Sequence, residues 1–336
     1  MTRATVPLRQ QPGERSAVSR QAIRGLSRPR VDFDVLFVPV LILVLGTALT
    51  LASPYFLTGR NIGQVLLQGA VLGIVAVGAT FVIIGGDLDL SVGYNVALSG
   101  IVTALVIVRT GNWQLGVAVG LLCGITIGLL NGVLSAWLGV PAFVATLGTG
   151  TIAGGLSLWL TNGATISGLP PAFAALATTS FLGLQTLVWF MLALFVVGGV
   201  LLHRTNFGIR VFAAGGNRDA AFLAGIAVAR VRIMNFVIAG ACGGLAGVLL
   251  TARVQAGQPN VGTSLTLFAT AAVILGGTSI LGGTGSMWRT FFGVLLIAMV
   301  QNGLNLLGVD FALQQVAVGA VFVLAACSEV IRRRRR

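Results

Sequence analysis

The stretch VLLQGAVLGIVAVGATFVIIGGDLDLSVGYN, residues 65–95, joins an unbroken apolar run to a short segment that carries two carboxylates. About 20 consecutive apolar residues are enough for an α-helix to cross the hydrocarbon core of a bilayer. The glycine pair Gly85–Gly86 and the two acids interrupt this run. The stretch therefore predicts a membrane-spanning helix over 62–84, followed by a polar turn at one membrane face.

The composition of the whole chain agrees with a membrane protein. Hydrophobic residues make up 56% and charged residues 9%, whereas soluble domains carry about a quarter charged residues. The 47 glycines suit helices that pack closely in lipid, while a β-barrel would show alternating segments of about ten residues. The predicted fold class is all-α, a polytopic transmembrane helical bundle.

The apolar runs predict about ten transmembrane helices. Their approximate bounds are 35–53, 62–84, 92–108, 115–138, 140–160, 182–202, 233–252, 265–281, 290–307 and 311–328. The third and the eighth are short and bordered by glycine pairs, so each is compatible with a complete or a broken helix. Broken helices occur in transporters where irregular backbone lines a cavity.

The arginines set the predicted orientation. All 21 basic residues are arginine, and a cytoplasmic N-terminus leaves only Arg60, Arg109 and Arg253 outside the cytoplasmic segments. The positive-inside rule therefore predicts that both termini are cytoplasmic. The net charge of +13 is explained by this topology, and we expect contact with membrane lipid and none with nucleic acid.

The domain organisation follows from the same pattern. Residues 1–32 are predicted to form a disordered basic cytoplasmic tail, 33–329 a single transmembrane domain, and 330–336 a second basic cytoplasmic tail. The segment 162–181 is predicted to be extracytoplasmic, with an amphipathic stretch after Pro170 and Pro171. The loop 203–232 is predicted to be cytoplasmic.

One short helix is predicted within that loop, over 218–224. Asn217 is a good N-cap, Asp219 falls in the first turn where the helix dipole favours an anion, and Gly225 suits the C-terminal end. Two turns are not stable alone in water. We therefore expect this helix to be ordered by packing on its own bundle or on a partner protein.

The sequence offers no catalytic residues, metal site or cofactor site. Without lysine there is no Walker A motif, and the single His203 and the cysteines Cys123, Cys242 and Cys327 lack metal or redox spacings. The glycine-rich run GGTSILGGTGS, residues 276–286, resembles a phosphate loop only superficially. Helix ending, bending or close packing at the membrane boundary is the favoured interpretation of its glycines.

Polar residues in and beside the spans are the candidates for transport. Asn95, Asn131, Asn302 and Asn305 either form hydrogen bonds between helices or line a weakly polar path that suits a hydroxyl-rich solute.

Asp87 and Asp89 lie at the cytoplasmic end of the second span. One could cap the next helix while the other meets an arginine. We expect Asp89 to order the turn near the path, and Asp87 to be largely solvated.

Five segments together resemble the membrane permease subunits of bacterial ABC importers for ribose and related sugars. They are IIGGDLDLSVG, NGVLSAWLGVPAFVATLGTG, the pattern T-x-x-G-x-x-x-x-A-x-G-G-N-x-x-A-A-x-x-x-G-I from Thr205 to Ile226, GQPNVG and AAVILGGTSILGGTGS. The resemblance covers roughly residues 60–328. The first motif usually reads GGIDLS in this family, so Asp89 matches the family aspartate and Asp87 is additional.

The resemblance implies a transport subunit of the bacterial inner membrane, not an enzyme, that works with a separate ABC ATPase and an extracytoplasmic sugar-binding protein. A second permease subunit, identical or related, completes the importer. The loop 203–232 would carry the helix that couples to the ATPase, through Gly215, Gly216, Asn217, Asp219, Ala220, Ala221 and Gly225. The substrate path would involve Asp89, Asn95, Asn131, Phe143, Asn302 and Asn305.

A second hypothesis is an ion-coupled secondary transporter that uses Asp87 or Asp89 as a proton site. It requires an acid buried in the middle of the membrane with a raised pKa. The sequence does not identify the sugar.

Overall fold

A computed structural model describes residues 33–310, 312–320 and 323. The predicted tails, residues 1–32 and 330–336, lie outside the described residues, as do residues 311, 321, 322 and 324–328 of the predicted span 311–328. Residues 312–320 of that span are helical.

Helices account for almost all of the regular structure. They are α1 (Phe33–Ala52), α2 (Gly59–Ile84), α3 (Val92–Thr110), α4 (Trp113–Ala136), α5 (Ala142–Thr161), α6 (Pro171–Thr178), α7 (Thr186–Arg204), α8 (Asn206–Gly216), α9 (Arg218–Leu223), α10 (Val228–Val254), α11 (Thr263–Leu275) and α12 (Met287–Leu306). Between α6 and α7, strands β1 (Ser180–Phe181) and β2 (Leu184–Gln185) pair antiparallel, with Ser180 opposite Gln185.

Seven helices in the described part of the chain are long and apolar enough to cross a membrane: α2, α3, α4, α5, α7, α10 and α12. Two shorter apolar helices span 37–52 and 264–275. The prediction of a helical membrane bundle is confirmed. The count of about ten spans and the side of the termini stay predictions.

The helix bounds differ from the predicted ones at several places. The third span is a complete helix of 19 residues, whereas the eighth has 13 residues and ends at Leu275 because Gly277 adopts a left-handed φ of +79°. Helix α10 is longer than predicted, with 27 residues. Helix α8 was not predicted at all, although Thr205 caps it by accepting a hydrogen bond from Gly208 N.

Helix α2 forms the centre of the bundle. Its apolar residues face neighbours on every side, and Ile74, Phe81 and Ile84 are fully buried. Helices α10, α12, α7 and α11 all pack against it. A helix that is apolar all round is expected in this position, so the stretch that predicts the second span also forms the core.

Glycines bring α4 and α10 into backbone contact. A methyl group added to Gly124 would lie 2.5 Å from Gly244 Cα, and one added to Gly240 would lie 2.7 Å from Gly128 Cα. Such small-residue faces allow dispersion contacts between backbones where lipid gives no hydrophobic driving force. This crossing is closed to any larger side chain.

We predict that Gly124→Val destabilises the bundle, because the new side chain would overlap the backbone of α10. Overpacking costs about 1–3 kcal/mol or more when the neighbours cannot move. Gly155→Val is the matched control, since no atom lies within 4 Å of a methyl group at this helical position of α5. The thermal unfolding temperature in detergent should fall for Gly124→Val and not for Gly155→Val. Equal unfolding temperatures of the two variants would contradict the proposed packing of α4 against α10.

Candidate functional site

The turn after α2 is built by a glycine pair. Gly86 has φ +78°, Gly86 N donates to Ile83 O at 3.0 Å, and Asp87 N donates to Val82 O at 3.1 Å. Glycine adopts this left-handed conformation without steric cost, which allows the helix to end with its last carbonyls satisfied. The segment Gly85–Ser91, here called the acidic turn, then leads directly into α3.

Three backbone segments meet beside the acidic turn. Gly283 N donates to Ile84 O at 2.8 Å, and a methyl group at Gly283 would lie 2.6 Å from Gly216 Cα. A methyl group at Gly282 would lie 2.7 Å from Gly86 Cα. The 276–286 glycines therefore allow close backbone packing of the end of α8 and the end of α2, in agreement with the favoured interpretation of that run.

Asp87 is buried and binds two arginines. Arg232 Nε donates to Asp87 Oδ2 at 2.7 Å and Arg232 Nη2 donates to Oδ1 at 2.9 Å. Arg218 Nη2 donates to Asp87 Oδ1 at 2.9 Å and also to Gly86 O at 2.8 Å. The prediction that Asp87 is largely solvated is wrong, because arginines from distant parts of the chain fold over it.

The two ion pairs differ in their surroundings. The Arg232 side chain is 12% exposed and the Asp87 side chain 6% exposed, and Arg232 Nη1 also donates to Ser135 O at 3.0 Å. Removing one member of a buried pair leaves an uncompensated charge and costs about 3–5 kcal/mol. The Arg218 side chain is 44% exposed, so its pair contributes much less to stability.

Asp89 accepts hydrogen bonds at the start of α3. Ser91 N donates to Asp89 Oδ1 at 2.8 Å and Ser91 Oγ donates to the same oxygen at 2.6 Å. Burial raises the pKa of the Asp89 carboxyl, and the two hydrogen bonds from Ser91 oppose this rise. Asp89 therefore orders the acidic turn locally, whereas Asp87 connects it to other segments.

The hydrogen bonds continue from Ser91 into α4 and α5. Asn131 Nδ2 donates to Ser91 Oγ at 2.7 Å, and Thr149 Oγ1 donates to Asn131 Oδ1 at 2.5 Å. Thr149 thus donates to Asn131, Asn131 to Ser91, and Ser91 to Asp89. A single chain of hydrogen bonds therefore runs from α5 through α4 to the acidic turn. Asp89 and Asn131, both predicted from sequence, are thus brought together.

The other predicted path residues lie elsewhere. Asn95 Nδ2 donates to Gly124 O at 3.3 Å and to Gly240 O at 3.2 Å, which joins α3 to α4 and α10. Asn302 and Asn61 exchange two amide hydrogen bonds of 2.9 and 3.0 Å between α12 and α2. Phe143 and Asn305 are exposed. The assignment of these residues to a substrate path stays a prediction.

Helix α9 agrees closely with the short helix predicted in the loop 203–232. Asn217 Oδ1 accepts from Ala220 N at 2.9 Å, Asp219 lies in the first turn, and Gly225 has φ +82°. Ala221 is buried, and Gly215 and Gly216 precede the helix at the end of α8.

Several residues of this region were missed by sequence reasoning. Phe222 and Leu223 are 72% and 85% exposed, and no periodic pattern in so short a helix indicates which side chains it buries. Arg218 and Arg232 were counted only as topology signals. Their contacts with Asp87 span 131 and 145 residues, a distance over which the sequence carries no signal.

Comparison with known proteins identifies the family. Residues 61–326 match the family described as branched-chain amino acid transport system permease component. The chain is 36% identical over 336 residues to an L-arabinose ABC transporter permease protein, AraH, of Azospirillum brasilense, covering 100% of this chain and 98% of the relative. It is 42% identical over 304 residues to the ribose import permease protein RbsC of Bacillus subtilis (strain 168), covering 88% and 94%.

A third relative is the D-allose transport system permease protein AlsC of Escherichia coli (strain K12), 35% identical over 287 residues, covering 85% of this chain and 88% of the relative. No solved structure matches the chain. The chain belongs to the permease family of ABC transport systems. The predictions of a permease, of a membrane location and of a transport component instead of an enzyme are confirmed.

We predict that the acidic turn needs the hydrogen-bond acceptor at position 89 more than its charge. Asp89→Asn keeps an oxygen that can accept from Ser91 N and Ser91 Oγ, whereas Asp89→Ala leaves both buried donors unpaired. An unpaired buried polar group costs about 1–3 kcal/mol. The thermal unfolding temperature in detergent at neutral pH should therefore fall for Asp89→Ala and change little for Asp89→Asn. Equal losses in both variants would show that the charge is required.

Proposed function

We propose that the chain is the membrane subunit of an ATP-driven importer for an aldose in the bacterial inner membrane. The observation that carries this proposal is the near full-length similarity to permeases named for L-arabinose, ribose and D-allose. The absence of lysine agrees, since ATP hydrolysis through a Walker A motif must then occur on a partner chain. Relatives named for three different sugars, at 35–42% identity, support aldoses as the substrate class.

The proposed topology has ten spans with both termini in the cytoplasm. This number is supported by the seven long helices and the two shorter apolar helices, Phe37–Ala52 and Ser264–Leu275. The helical segment 312–320 supports a tenth span. The arginine-rich loop 203–232 lies on the face where α2 and α7 end. This face is then cytoplasmic under the positive-inside rule, and the acidic turn lies at the cytoplasmic boundary.

Helix α9 is the proposed contact with the ATPase subunit. Phe222 and Leu223 are exposed at the C-terminal end of α9, and exposed neighbouring apolar side chains are typical of a protein interface. The residues Gly215, Gly216, Asn217, Asp219, Ala220, Ala221 and Gly225 shape and hold this contact. A sugar-binding protein on the opposite face and a second permease subunit, identical or related, complete the proposed importer.

The proposed substrate path combines four amide side chains and one carboxyl, which can hydrogen bond to hydroxyl groups, with one aromatic ring, which can make apolar contact. They are Asp89, Asn95, Asn131, Phe143, Asn302 and Asn305. The hydrogen-bond chain from Thr149 to Asp89 supports a role for the ends of α4 and α5, because it places amide and hydroxyl groups beside the acidic turn.

The ion-coupled alternative is not favoured. It requires an acid in the middle of the membrane, whereas Asp87 is paired with two arginines and Asp89 is hydrogen bonded at a helix start. Neither acid lies within a spanning helix.

Transport by the reconstituted complex tests the proposed function. Proteoliposomes that contain the permease, its ATPase and its binding protein should accumulate at least one of radiolabelled ribose, L-arabinose and D-allose when ATP is supplied. Branched-chain amino acids serve as the competing substrate class. Uptake should survive collapse of the proton gradient. Uptake of leucine instead of sugars would refute aldoses as the substrate class. Loss of uptake on collapse of the proton gradient would favour ion coupling.

We predict that Phe222→Ser combined with Leu223→Ser weakens binding of the ATPase, because apolar contact area is lost. Each fully buried side chain of this size contributes about 1.5–3 kcal/mol, so co-purification of the ATPase should fall at least tenfold. Phe181→Ser is the control, since Phe181 is exposed in the hairpin before α7, at the other end of that helix. Undiminished ATPase binding by the double variant would exclude α9 as the docking site.

A further inference from the structure

We propose that Asp87 is a positioning residue that ties α9 to the acidic turn and to α10, so that movement of α9 reaches the translocation path through this carboxylate. The inference rests on the proposed function. Its geometric basis is that one buried carboxylate binds Arg218, the first residue of α9, at 2.9 Å, and Arg232 of α10 at 2.7 Å.

Arg218 is a major connection between α9 and the rest of the bundle. The helix has only six residues, of which Ala221 alone is buried. A helix this short is held by its contacts and not by its own hydrogen bonds. Arg218 reaches the acidic turn at two points, Asp87 Oδ1 and Gly86 O. A displacement of α9 therefore pulls directly on the end of α2.

The arrangement around Asp87 continues in two directions. Arg232 donates to Ser135 O, which connects the same carboxylate to the end of α4. Along the chain, Asp89 follows two residues after Asp87 and receives the hydrogen-bond chain from Ser91, Asn131 and Thr149. The acidic turn thus lies between the ATPase-facing helix on one side and α4, α5 and α10 on the other.

The close glycine packing makes the acidic turn responsive to such a pull. Gly215 lies against Ile84 O, and Gly282 lies against Gly86, so little space exists for α8 and α9 to move without moving the end of α2. Packed elements of this kind shift between discrete arrangements and do not deform continuously. The ion pairs then fix which residues move together.

Arg218→Gln is the first test, with Arg230→Gln as the matched control. Both arginines are exposed in the same loop, so both changes remove one cytoplasmic positive charge. In Arg218→Gln the pair between Asp87 and Arg232 remains, so the protein should fold. Sugar taken up per ATP hydrolysed should fall about five- to tenfold, the lower range of coupling between sites, while ATPase co-purification stays unchanged. Arg230→Gln should behave like the unaltered protein.

A double-variant cycle separates a role through Asp87 from direct contact between Arg218 and the ATPase. If Arg218 acts through Asp87, then Asp87→Asn combined with Arg218→Gln should lower uptake per ATP no further than Asp87→Asn alone. Asp87→Glu, which keeps the charge, should retain more coupling than Asp87→Asn. Effects that multiply in the double variant would overturn the proposal.

The remaining outcomes are also decisive. Where Asp87→Asn fails to accumulate in the membrane, the comparison of Arg218→Gln with Arg230→Gln decides, because neither change leaves a buried charge unpaired. Normal uptake per ATP in Arg218→Gln would overturn the role of Asp87 and leave the proposed function intact. Absence of ATP-driven sugar uptake by the unaltered complex would overturn both.

Discussion

In the hydrocarbon core of a bilayer no water is present to satisfy the backbone, so each amide and carbonyl must find its partner within the protein. This constraint explains why the candidate spanning elements in the described part of the chain are helices and why irregular backbone lies at their ends. The acidic turn obeys it, because Gly86 and Asp87 donate to the last carbonyls of α2, and Gly283 N donates to Ile84 O. The rest of the architecture depends on this requirement.

The second consequence concerns how helices associate. Burying apolar side chains gains little when the alternative environment is lipid, so close backbone approach and polar contacts between helices carry more of the stability. Close backbone approach is seen where Gly124 of α4 meets Gly244 of α10. Polar contact between helices is seen in the reciprocal amide pair of Asn61 and Asn302. Glycine and asparagine in these spans are therefore structural requirements as well as candidates for transport.

The boundary of the bundle follows different rules, because charged groups there are partly shielded from water and partly exposed to it. Asp87 can be buried inside the protein because ion pairs and hydrogen bonds with two arginines offset the desolvation of its carboxylate. Asp89 is held by hydrogen bonds from Ser91, and within the part of the chain that the structure describes it forms no ion pair. Two acids that are nearly adjacent in sequence therefore have separate physical roles, one between segments and one within the turn.

The sequence by itself determined the class of fold, the position of most spans, the helix ends at Gly85–Gly86 and the short helix α9 with its Asn217 cap. These features depend on local hydrophobicity and local hydrogen bonding, which neighbouring residues specify. Only the tertiary structure decided the partners of Asp87 and the exposure of Phe222 and Leu223. Those depend on contacts between residues more than a hundred positions apart, or on which face of a short helix meets the bundle, and no local pattern records either.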